Sequence, residues 1–207
     1  MKIPRFVSFR YPTILAIIFI LGLVQSLAIA QVLSDPKVNI PNFGKVNEHY
    51  YRGSQPEAED FVKLKNLGVK TIVDLRQDYL ADAGTLARHA GLQYINIPLT
   101  TERAATEDQT TYFLSIVNNP VNWPVYVHCK GGRHRTGEMT AIYRITNEGW
   151  TADQAYEEMK KYDFKNSIFY PRALKKYVFT YYDQFSSLNA TKSKGTTATQ
   201  RAAMPEH

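Results

Sequence analysis

The sequence predicts an α/β domain with a central, mostly parallel sheet of four to five strands flanked by helices. Short apolar runs of strand length alternate along the chain with segments whose apolar residues recur at helical spacing. Glycine or proline separates many of these segments. The run at 124–128 is apolar at nearly every position, so we expect it in the centre of the sheet, covered on both faces.

The predicted elements follow one another in a regular order. Residues 43–52 hold short β-prone pieces, and Pro56 suits the first turn of a helix that Gly68 ends. Thr106 and Gln109 have the spacing of a capping box before a later helix. Further strands are predicted over 69–75, 93–97 and 124–128, and further helices over 80–90, 111–117, 136–148, 151–162 and 171–185.

The N-terminal segment differs from the rest of the chain. Residues 1–10 carry three basic side chains, and residues 13–30 are almost wholly apolar. The small residues Ala28 and Ala30 fit a signal-peptidase site, so we predict that 1–30 is a signal peptide and that the folded part is exported. An uncleaved membrane anchor through 13–30 is the alternative, because a segment of this length can just span a bilayer.

Composition marks the remaining boundaries. Residues 31–42 are predicted to be a linker and 43–185 the folded domain. Residues 186–207 are rich in Ser, Thr, Ala and Lys and lack a periodic apolar face, so we predict a disordered tail. Residues 31–207 carry 22 basic and 19 acidic side chains, a net charge of +3. That charge suits a small anionic substrate and is too weak and scattered to indicate nucleic-acid binding.

The chain has one cysteine, which excludes an internal disulfide and a multi-cysteine metal site. Cys129 follows the predicted central strand and precedes a predicted helix. The free N–H groups of a helix start favour an anion, and Gly131 and Gly132 allow the loop to turn its amides inward. Arg135 can return beside the sulfur and bind two phosphate oxygens. The same positive field is expected to lower the pKa of the Cys129 thiol.

These residue types together indicate a particular reaction. The Cys129 thiolate attacks phosphorus, the ester oxygen leaves, and water later releases phosphate from a phosphocysteine. Because the loop itself supplies the positive charge, we expect no metal and no organic cofactor.

The central run resembles the signature loop of the cysteine-dependent protein tyrosine phosphatases. It reads His128-Cys129-Lys130-Gly131-Gly132-Arg133-His134-Arg135-Thr136-Gly137 and is most similar to the small bacterial and atypical plant and fungal members of the dual-specificity branch. The resemblance covers about residues 43–182 and includes Tyr51-Arg52-Gly53-Ser54-Gln55-Pro56 and Thr71-Ile72-Val73-Asp74-Leu75-Arg76. It implies a phosphatase loop between a central strand and the following helix, with Cys129 as nucleophile and Arg135 as phosphate clamp.

The resemblance also implies roles for the other side chains of the loop. Thr136 would assist hydrolysis of the phosphoenzyme, and a threonine there also suits a helix N-cap. The resemblance implies a phosphorylated protein as substrate, and the basic side chains favour a highly charged one such as a phosphoinositide or an inositol phosphate. The phosphate-binding loop is predicted to comprise Lys130, Gly131, Gly132, Arg133, His134 and Arg135.

The general acid is the point at which the sequence departs from the family. Members usually carry an aspartate on a loop about thirty residues before the cysteine to protonate the leaving oxygen, but 97–106 contains none. Glu102 is the nearest carboxylate and is our candidate. His134 as donor, or a leaving group that needs no strong acid, are the alternatives. A catalytically silent phospho-ligand binding module is the competing function.

Three further residues are expected to support the loop. We expect His128 to orient it by hydrogen bonds rather than to transfer protons, because buried polar groups need partners. Asp74, paired with Arg76 or Arg52, is expected to brace it. We expect a monomer that binds no nucleic acid and meets a membrane only if the N-terminal segment is retained.

Overall fold

One sheet organises the part of the chain that the computed structural model describes, residues 38–77, 81–165 and 172–202. Its strand order is β1-β2-β5-β3-β4. The first two strands form an antiparallel hairpin, and every other neighbouring pair is parallel. The predicted sheet is therefore confirmed. The strands are β1 Gly44–Asn47, β2 Tyr50–Gly53, β3 Thr71–Arg76, β4 Gln93–Leu99 and β5 Val125–His128.

Helices connect the strands and cover the sheet. Those of the described residues are α1 Ala58–Asn66, α2 Ala81–His89, α3 Glu107–Val117, α4 His134–Glu148, α5 Ala152–Lys161 and α6 Arg172–Ala202, with a short 3-10 turn at Pro120–Asn122. The predicted capping box at Thr106 is present, since its hydroxyl accepts the Gln109 N–H. Gly149 ends α4 with a φ of 69°.

Two apolar layers cover the two faces of the sheet. Phe61 of α1 belongs to one layer and Phe113 of α3 to the other. Strand β5 is buried at every position, with Val125 and Val127 in the α3 layer and Tyr126 in the α1 layer. This alternation explains the continuous apolar run in the sequence and confirms the predicted central place of the strand.

The parallel strands bring four chain segments to one edge. Because β2, β5, β3 and β4 run in the same direction, their carboxyl ends meet there, and ligands of such sheets bind at that edge. The ends are Gly53, His128, Arg76 and Leu99. The segment that follows each strand is therefore available to build a common site.

The predicted linker is wrong for its last residues. Ile40 is 5% exposed and belongs to the core, and the Pro41 carbonyl accepts a hydrogen bond from the Ser54 N–H. A short segment without helix or strand has no hydrophobic period, so its docking against β2 could not be read from the sequence.

The predicted disorder of residues 186–207 is wrong for 186–202, because α6 continues to Ala202. Residues 203–207 lie outside the described residues. No proline occurs between the start of this helix and Pro205. The hydroxyls of Ser187 and Thr191 also donate to carbonyls one turn earlier. The polar composition of 186–202 means that this segment has no periodic apolar face, but it does not prevent the segment from forming a helix.

The predicted signal peptide, residues 1–30, and the first part of the predicted linker, 31–37, lie outside the described residues. Within 38–77, 81–165 and 172–202, no helix is both long enough and apolar enough to cross a membrane.

Candidate active site

Cys129 lies at the carboxyl edge of the sheet, directly after β5. The last residue of β5, His128, is in register with Gly53 on one side and Asp74 on the other. Cys129 itself is 3% exposed. The structure therefore places the thiol at the predicted strand-to-helix junction, between the two neighbouring strands.

The loop after Cys129 is held from behind by three hydrogen bonds. Each of three successive carbonyls accepts a hydrogen bond from a residue in or near β2. The pairs are Gln55 N to Lys130 O (3.2 Å), Asn42 Nδ2 to Gly131 O (2.8 Å) and Arg52 Nη2 to Gly132 O (2.8 Å). In a trans peptide the N–H points opposite to the carbonyl of the same unit. The amides of 131–133 therefore face away from β2, as an anion cradle requires.

Gly132 allows the loop to lie directly on β2. Its φ is +66°, in the left-handed region. A Cβ at this position would lie 2.5 Å from the Gly53 carbonyl carbon and 2.6 Å from the Ser54 nitrogen. Backbone cannot move aside as a flexible side chain can, so only glycine fits both the conformation and the contact.

Arg52 places a cation beneath the loop. It is fully buried, and its guanidinium lies 3.8 Å from the centroid of the Tyr162 ring. Burial lowers the pKa of Arg52, which also interacts electrostatically with Cys129. Among the described residues, its Nε and Nη1 have no hydrogen-bond partner. A guanidinium stays protonated in proteins, so its charge contributes to the field around the thiol.

Arg135 lies in the first turn of α4, at the opposite side of the loop from β2. Its Nη1 donates to the Leu99 carbonyl at 3.2 Å, at the end of β4. The residue is 8% exposed and borders a cleft of about 470 Å³ whose wall includes Gln77, Thr100 and Glu102. The guanidinium therefore stands between the loop and the cleft, as a phosphate clamp would.

The basic side chains predicted for the rim differ in their surroundings. Lys130 is exposed. Arg133 forms an ion pair with Asp163 at 3.1 Å, and both side chains are partly exposed. His134 is half-buried against Phe164, and burial together with Arg133 lowers its pKa. The rim is therefore basic, and part of its charge is already neutralised by Asp163.

Thr136 follows the clamp on α4. The residue is buried, and its hydroxyl has no hydrogen-bond partner among the residues that the structure describes. It is not the helix N-cap, because that position belongs to Arg133. A buried hydroxyl without a partner beside the loop is available to a ligand or to an attacking water.

A buried ion pair supports the base of the loop. Asp74 accepts hydrogen bonds from Arg76 and from the Tyr94 hydroxyl, at 2.6 Å for Tyr94. Burial raises the pKa of Asp74, but the hydrogen bonds from Arg76 and the nearby His128 outweigh this effect and leave it below its usual value. The partner of Asp74 is therefore Arg76 and not Arg52.

His128 lies between this pair and the loop. Its Nε2 is 3.9 Å from the Asp74 carboxylate, and its Nδ1 is 3.4 Å from the Cys129 carbonyl. Burial lowers the pKa of His128 to about 4. A neutral, enclosed imidazole fits the predicted structural role and not proton transfer.

Glu102 lies on the 100–104 loop, which connects β4 to the N-cap of α3, and it borders the same cleft as Arg135. Its side chain is exposed to solvent. Hydrogen bonds from its own backbone and from Thr100 and Thr101 lower its pKa. A general acid at neutral pH requires a raised pKa, so Glu102 has the predicted position without the electrostatic environment of an acid.

Two residues near the site were missed by the sequence analysis. Asn42 was assigned to a linker, and only its contact with Gly131 reveals its role. Glu138, one turn after Arg135, is fully buried, and burial raises its pKa to about 8. The only signal in the sequence was a carboxylate within the run 136–142, whose other residues are apolar or small.

No cluster of potential metal ligands occurs in the parts of the chain that the structure describes. No group of three or more His, Cys, Asp or Glu side chains among these residues could hold an ion. The expectation of a metal-free site stays a prediction.

The geometry of the loop is that of the protein tyrosine and dual-specificity phosphatase class. Within this class the chain belongs to the family described as a DSP-PTPase phosphatase fused to NAD+ kinase, whose sequence model matches residues 36–174. The resemblance drawn from the sequence is confirmed, and the matched range includes both the Asn42 segment and the loop.

The named relatives include a bacterial and a fungal protein. The dual specificity protein phosphatase TpbA of Pseudomonas aeruginosa (strain UCBPP-PA14) is 30% identical over 130 residues, which cover 63% of this chain and 57% of TpbA. The inositol diphosphatase SIW14 of Saccharomyces cerevisiae is 26% identical over 148 residues, which cover 69% of this chain and 51% of SIW14. The chain thus spans little more than half the length of these relatives.

A solved structure shows the same fold. The core catalytic domain of the PP-IP phosphatase SIW14 from S. cerevisiae, crystallised in complex with citrate, superposes with a TM-score of 0.62 at 24% identity. The superposition covers 75% of this chain and 94% of the SIW14 chain.

Proposed function

We propose that this protein is a phosphomonoester hydrolase of the dual-specificity type with Cys129 as nucleophile. The loop after Cys129 carries the proposal. Its carbonyls are bound back toward β2, so the amides of 131–133 and of the first turn of α4 are available to an anion next to the thiol.

The proposed reaction has two steps. The Cys129 sulfur attacks phosphorus, an S–P bond forms, and the P–O bond to the leaving group breaks. The loop amides bind the phosphoryl oxygens, and Arg135 exchanges its contact with the Leu99 carbonyl for two of them. Water then attacks phosphorus, the S–P bond breaks, and phosphate leaves. In this second step the Thr136 hydroxyl, on α4, donates a hydrogen bond to the departing thiolate.

The pKa shifts of the two candidate acids, Glu102 and His134, determine which leaving groups the protein can expel. The lowered pKa of Glu102 keeps it a carboxylate near neutral pH, and the lowered pKa of His134 keeps its ring neutral. Neither is a strong acid there. We therefore propose that aryl esters such as phosphotyrosine, and phosphoanhydrides, are better substrates than alkyl esters such as phosphoserine, because their leaving groups need less protonation.

The basic rim favours a second candidate substrate, an inositol (pyro)phosphate or a phosphoinositide. Lys130 and Arg133 flank the phosphate site with partly exposed cationic groups. The similarity to SIW14, named an inositol diphosphatase, agrees with a polyanionic substrate. The two candidates share the nucleophile and differ only in the phosphate carrier.

An aryl phosphate assay tests the activity. We expect the wild-type protein to release nitrophenol from nitrophenyl phosphate, and Cys129→Ser to abolish turnover while still binding phosphate. Rapid acid quenching should trap one phosphoryl group on Cys129. A wild-type protein that binds phosphate without turnover would instead be a phospho-ligand binding module.

A substrate panel separates the carriers. Phosphotyrosine and phosphoserine peptides, phosphoinositide vesicles and inositol pyrophosphates are compared by kcat/KM. Arg133→Gln should lower kcat/KM about tenfold for a polyanionic inositol substrate and leave kcat/KM for a phosphotyrosine peptide nearly unchanged. The reason is that only the inositol substrate carries further phosphates that can contact the basic rim.

We also propose export through residues 1–30 and a monomeric folded domain. The basic start, the apolar run and the small residues before Gln31 support cleavage there. N-terminal sequencing of the protein from its native membrane and secreted fractions tests cleavage, since an intact Met1 in the membrane fraction indicates an anchor. Sedimentation tests the monomer.

A further inference from the structure

Helix α4 contacts both ends of the 100–104 loop. Arg135 donates from Nη1 to the Leu99 carbonyl, just before the loop. Glu138 accepts the Ala105 N–H on Oε1 at 3.1 Å, just after it. Residues three apart on a helix share a face. One face of α4 thus fixes the loop that carries Glu102 at two points.

Glu138 is an unusual residue for its position. It is fully buried, and its second oxygen, Oε2, has no hydrogen-bond partner among the described residues. Its titratable neighbour on α6 is Tyr177, whose hydroxyl is bonded to Thr110 of α3. Burial raises its pKa to about 8, and the hydrogen bond from the Ala105 N–H opposes this effect only in part. An apolar side chain would be cheaper to bury here.

The proposed reaction affects the contact of Arg135 with Leu99 and the contact of Glu138 with Ala105 differently. Arg135 must turn to the phosphate, and its bond to the Leu99 carbonyl competes with that task. Glu138 accepts its bond from a backbone N–H and has no task in the proposed reaction that competes with this contact. When substrate binds, the bond from Ala105 to Glu138 is therefore the one of these two α4 contacts that still holds the loop.

We propose that Glu138 is a positioning residue that holds the 100–104 loop in place while Arg135 binds phosphate, so that Glu102 faces the leaving oxygen. The inference rests on the proposed function, because it concerns the same reaction. Glu138 does not touch substrate and acts only through the loop.

The proposal has a consequence that packing alone would not have. A displaced loop removes the proton donation that Glu102 can supply at acidic pH, where it is protonated, and leaves the nucleophile and the phosphate cradle intact. Substrates with poor leaving groups should then suffer, whereas nitrophenyl phosphate, whose leaving group needs little protonation, should not. General structural damage would slow both substrates equally.

The experiment compares two substitutions at one position in the full chain. Glu138→Gln keeps an oxygen for the Ala105 N–H and removes only the titratable proton, so it is the matched control. Glu138→Met has similar size and no acceptor. At acidic pH, where Glu102 is protonated, we expect Glu138→Met to lower kcat for an alkyl phosphate by about tenfold or more and for nitrophenyl phosphate by less than about twofold, with Glu138→Gln close to wild type on both.

A double-mutant cycle tests the route through Glu102. If Glu138 acts by placing Glu102, then Glu138→Met should have little further effect on the alkyl phosphate in a Glu102→Gln background. Equal losses on both substrates, no loss on either, or full additivity with Glu102→Gln would overturn the proposal.

Hydrogen exchange separates this proposal from the proposed function. The Ala105 amide should exchange about tenfold faster in Glu138→Met than in wild type or Glu138→Gln. Unchanged exchange shows that no such contact holds the loop and overturns the inference alone. Absence of any wild-type turnover overturns the proposed function, and with it the catalytic use of the contact, whatever the exchange rates.

Discussion

The two sides of the phosphate loop are built differently. On the β2 side, a buried arginine, an asparagine amide and a backbone N–H hold three successive carbonyls, and Gly132 touches backbone. On the other side, the 100–104 loop is partly exposed, most of all at Glu102 and Arg103. At its two ends it is fixed to α4 by one bond from Arg135 and one to Glu138.

This difference separates the two halves of the proposed chemistry. The machinery that binds and attacks phosphate needs fixed amides, because preorganised dipoles need not reorganise during reaction. The side that meets the leaving group is bordered by an open cleft and an exposed carboxylate. Substitutions on the β2 side should therefore affect every substrate, and those on the 100–104 side should depend on the leaving group.

The largest effect is expected from Gly132→Ala. The new Cβ would collide with the backbone of Gly53 and Ser54, so the loop must move and its amides lose their alignment. We expect kcat/KM for nitrophenyl phosphate to fall by about a thousandfold. Gly131→Ala is the control, because its nearest neighbour is the flexible Arg133 side chain at 3.5 Å. Equal rates for the two variants would contradict the tight contact with β2.

A pH-dependent gain in stability is expected from Glu138→Gln. The pKa of Glu138 is raised in the folded state, from 4.5 to about 8, so the folded protein keeps a proton that the unfolded chain loses. Wild-type stability therefore falls as pH rises from about 4.5 to about 8. Glutamine cannot titrate, so its advantage should grow across that window at up to about 1.4 kcal/mol per pH unit.

Urea unfolding at several pH values measures this difference. Tyr177 is present in both proteins and cancels in the comparison. A constant difference between pH 4 and pH 9 would show that Glu138 titrates alike in the folded and unfolded states.

A smaller loss is expected from Asn42→Gly. Asn42 has a φ of 56°, which glycine also adopts easily, so the substitution removes the amide donor to Gly131 without backbone strain. We expect kcat/KM to fall by about tenfold on aryl and alkyl phosphates alike, and stability to fall by about 1 kcal/mol. A loss confined to alkyl phosphates would contradict the expectation that substitutions on the β2 side affect every substrate.

The smallest effect is expected from Glu102→Gln. We expect less than about threefold change with nitrophenyl phosphate and about tenfold loss with an alkyl phosphate. The pH profile should be measured with both, since the lowered pKa of Glu102 places its acidic form at low pH. A large loss on both substrates would show that the 100–104 side is as essential as the β2 side.

Most of the sheet could be predicted because its signals are local. The apolar run of β5 and the cap at Thr106 each depend on a few neighbouring residues, and both lie where they were expected. The prediction of a disordered tail was wrong for residues 186–202, because low hydrophobicity argues against a buried core and not against a helix. The linker was wrong at Ile40 because docking of an irregular segment depends on distant partners.

The candidate site shows the same contrast between features with local signals and contacts between distant residues. The shape of the loop could be predicted because Cys129, both glycines and Arg135 lie within seven consecutive residues, 129–135. The donor at Asn42 is 89 positions from its acceptor, Gly131, and no pattern in one sequence links two such residues. Glu102 was predicted by position, but the direction of its pKa depends on local hydrogen bonds that spacing does not reveal.

The sequence by itself determined the order of strands and helices, the place of Cys129 between them and the phosphate-binding character of its loop, because these follow from hydrophobic period and contiguous residue types. Only the tertiary structure decided which groups hold that loop. It seated Gly132 on β2 and buried Glu138 beneath the end of the 100–104 loop. Hydrogen bonds and burial join residues that are far apart along the chain, so their partners are chosen only when the strands and helices pack.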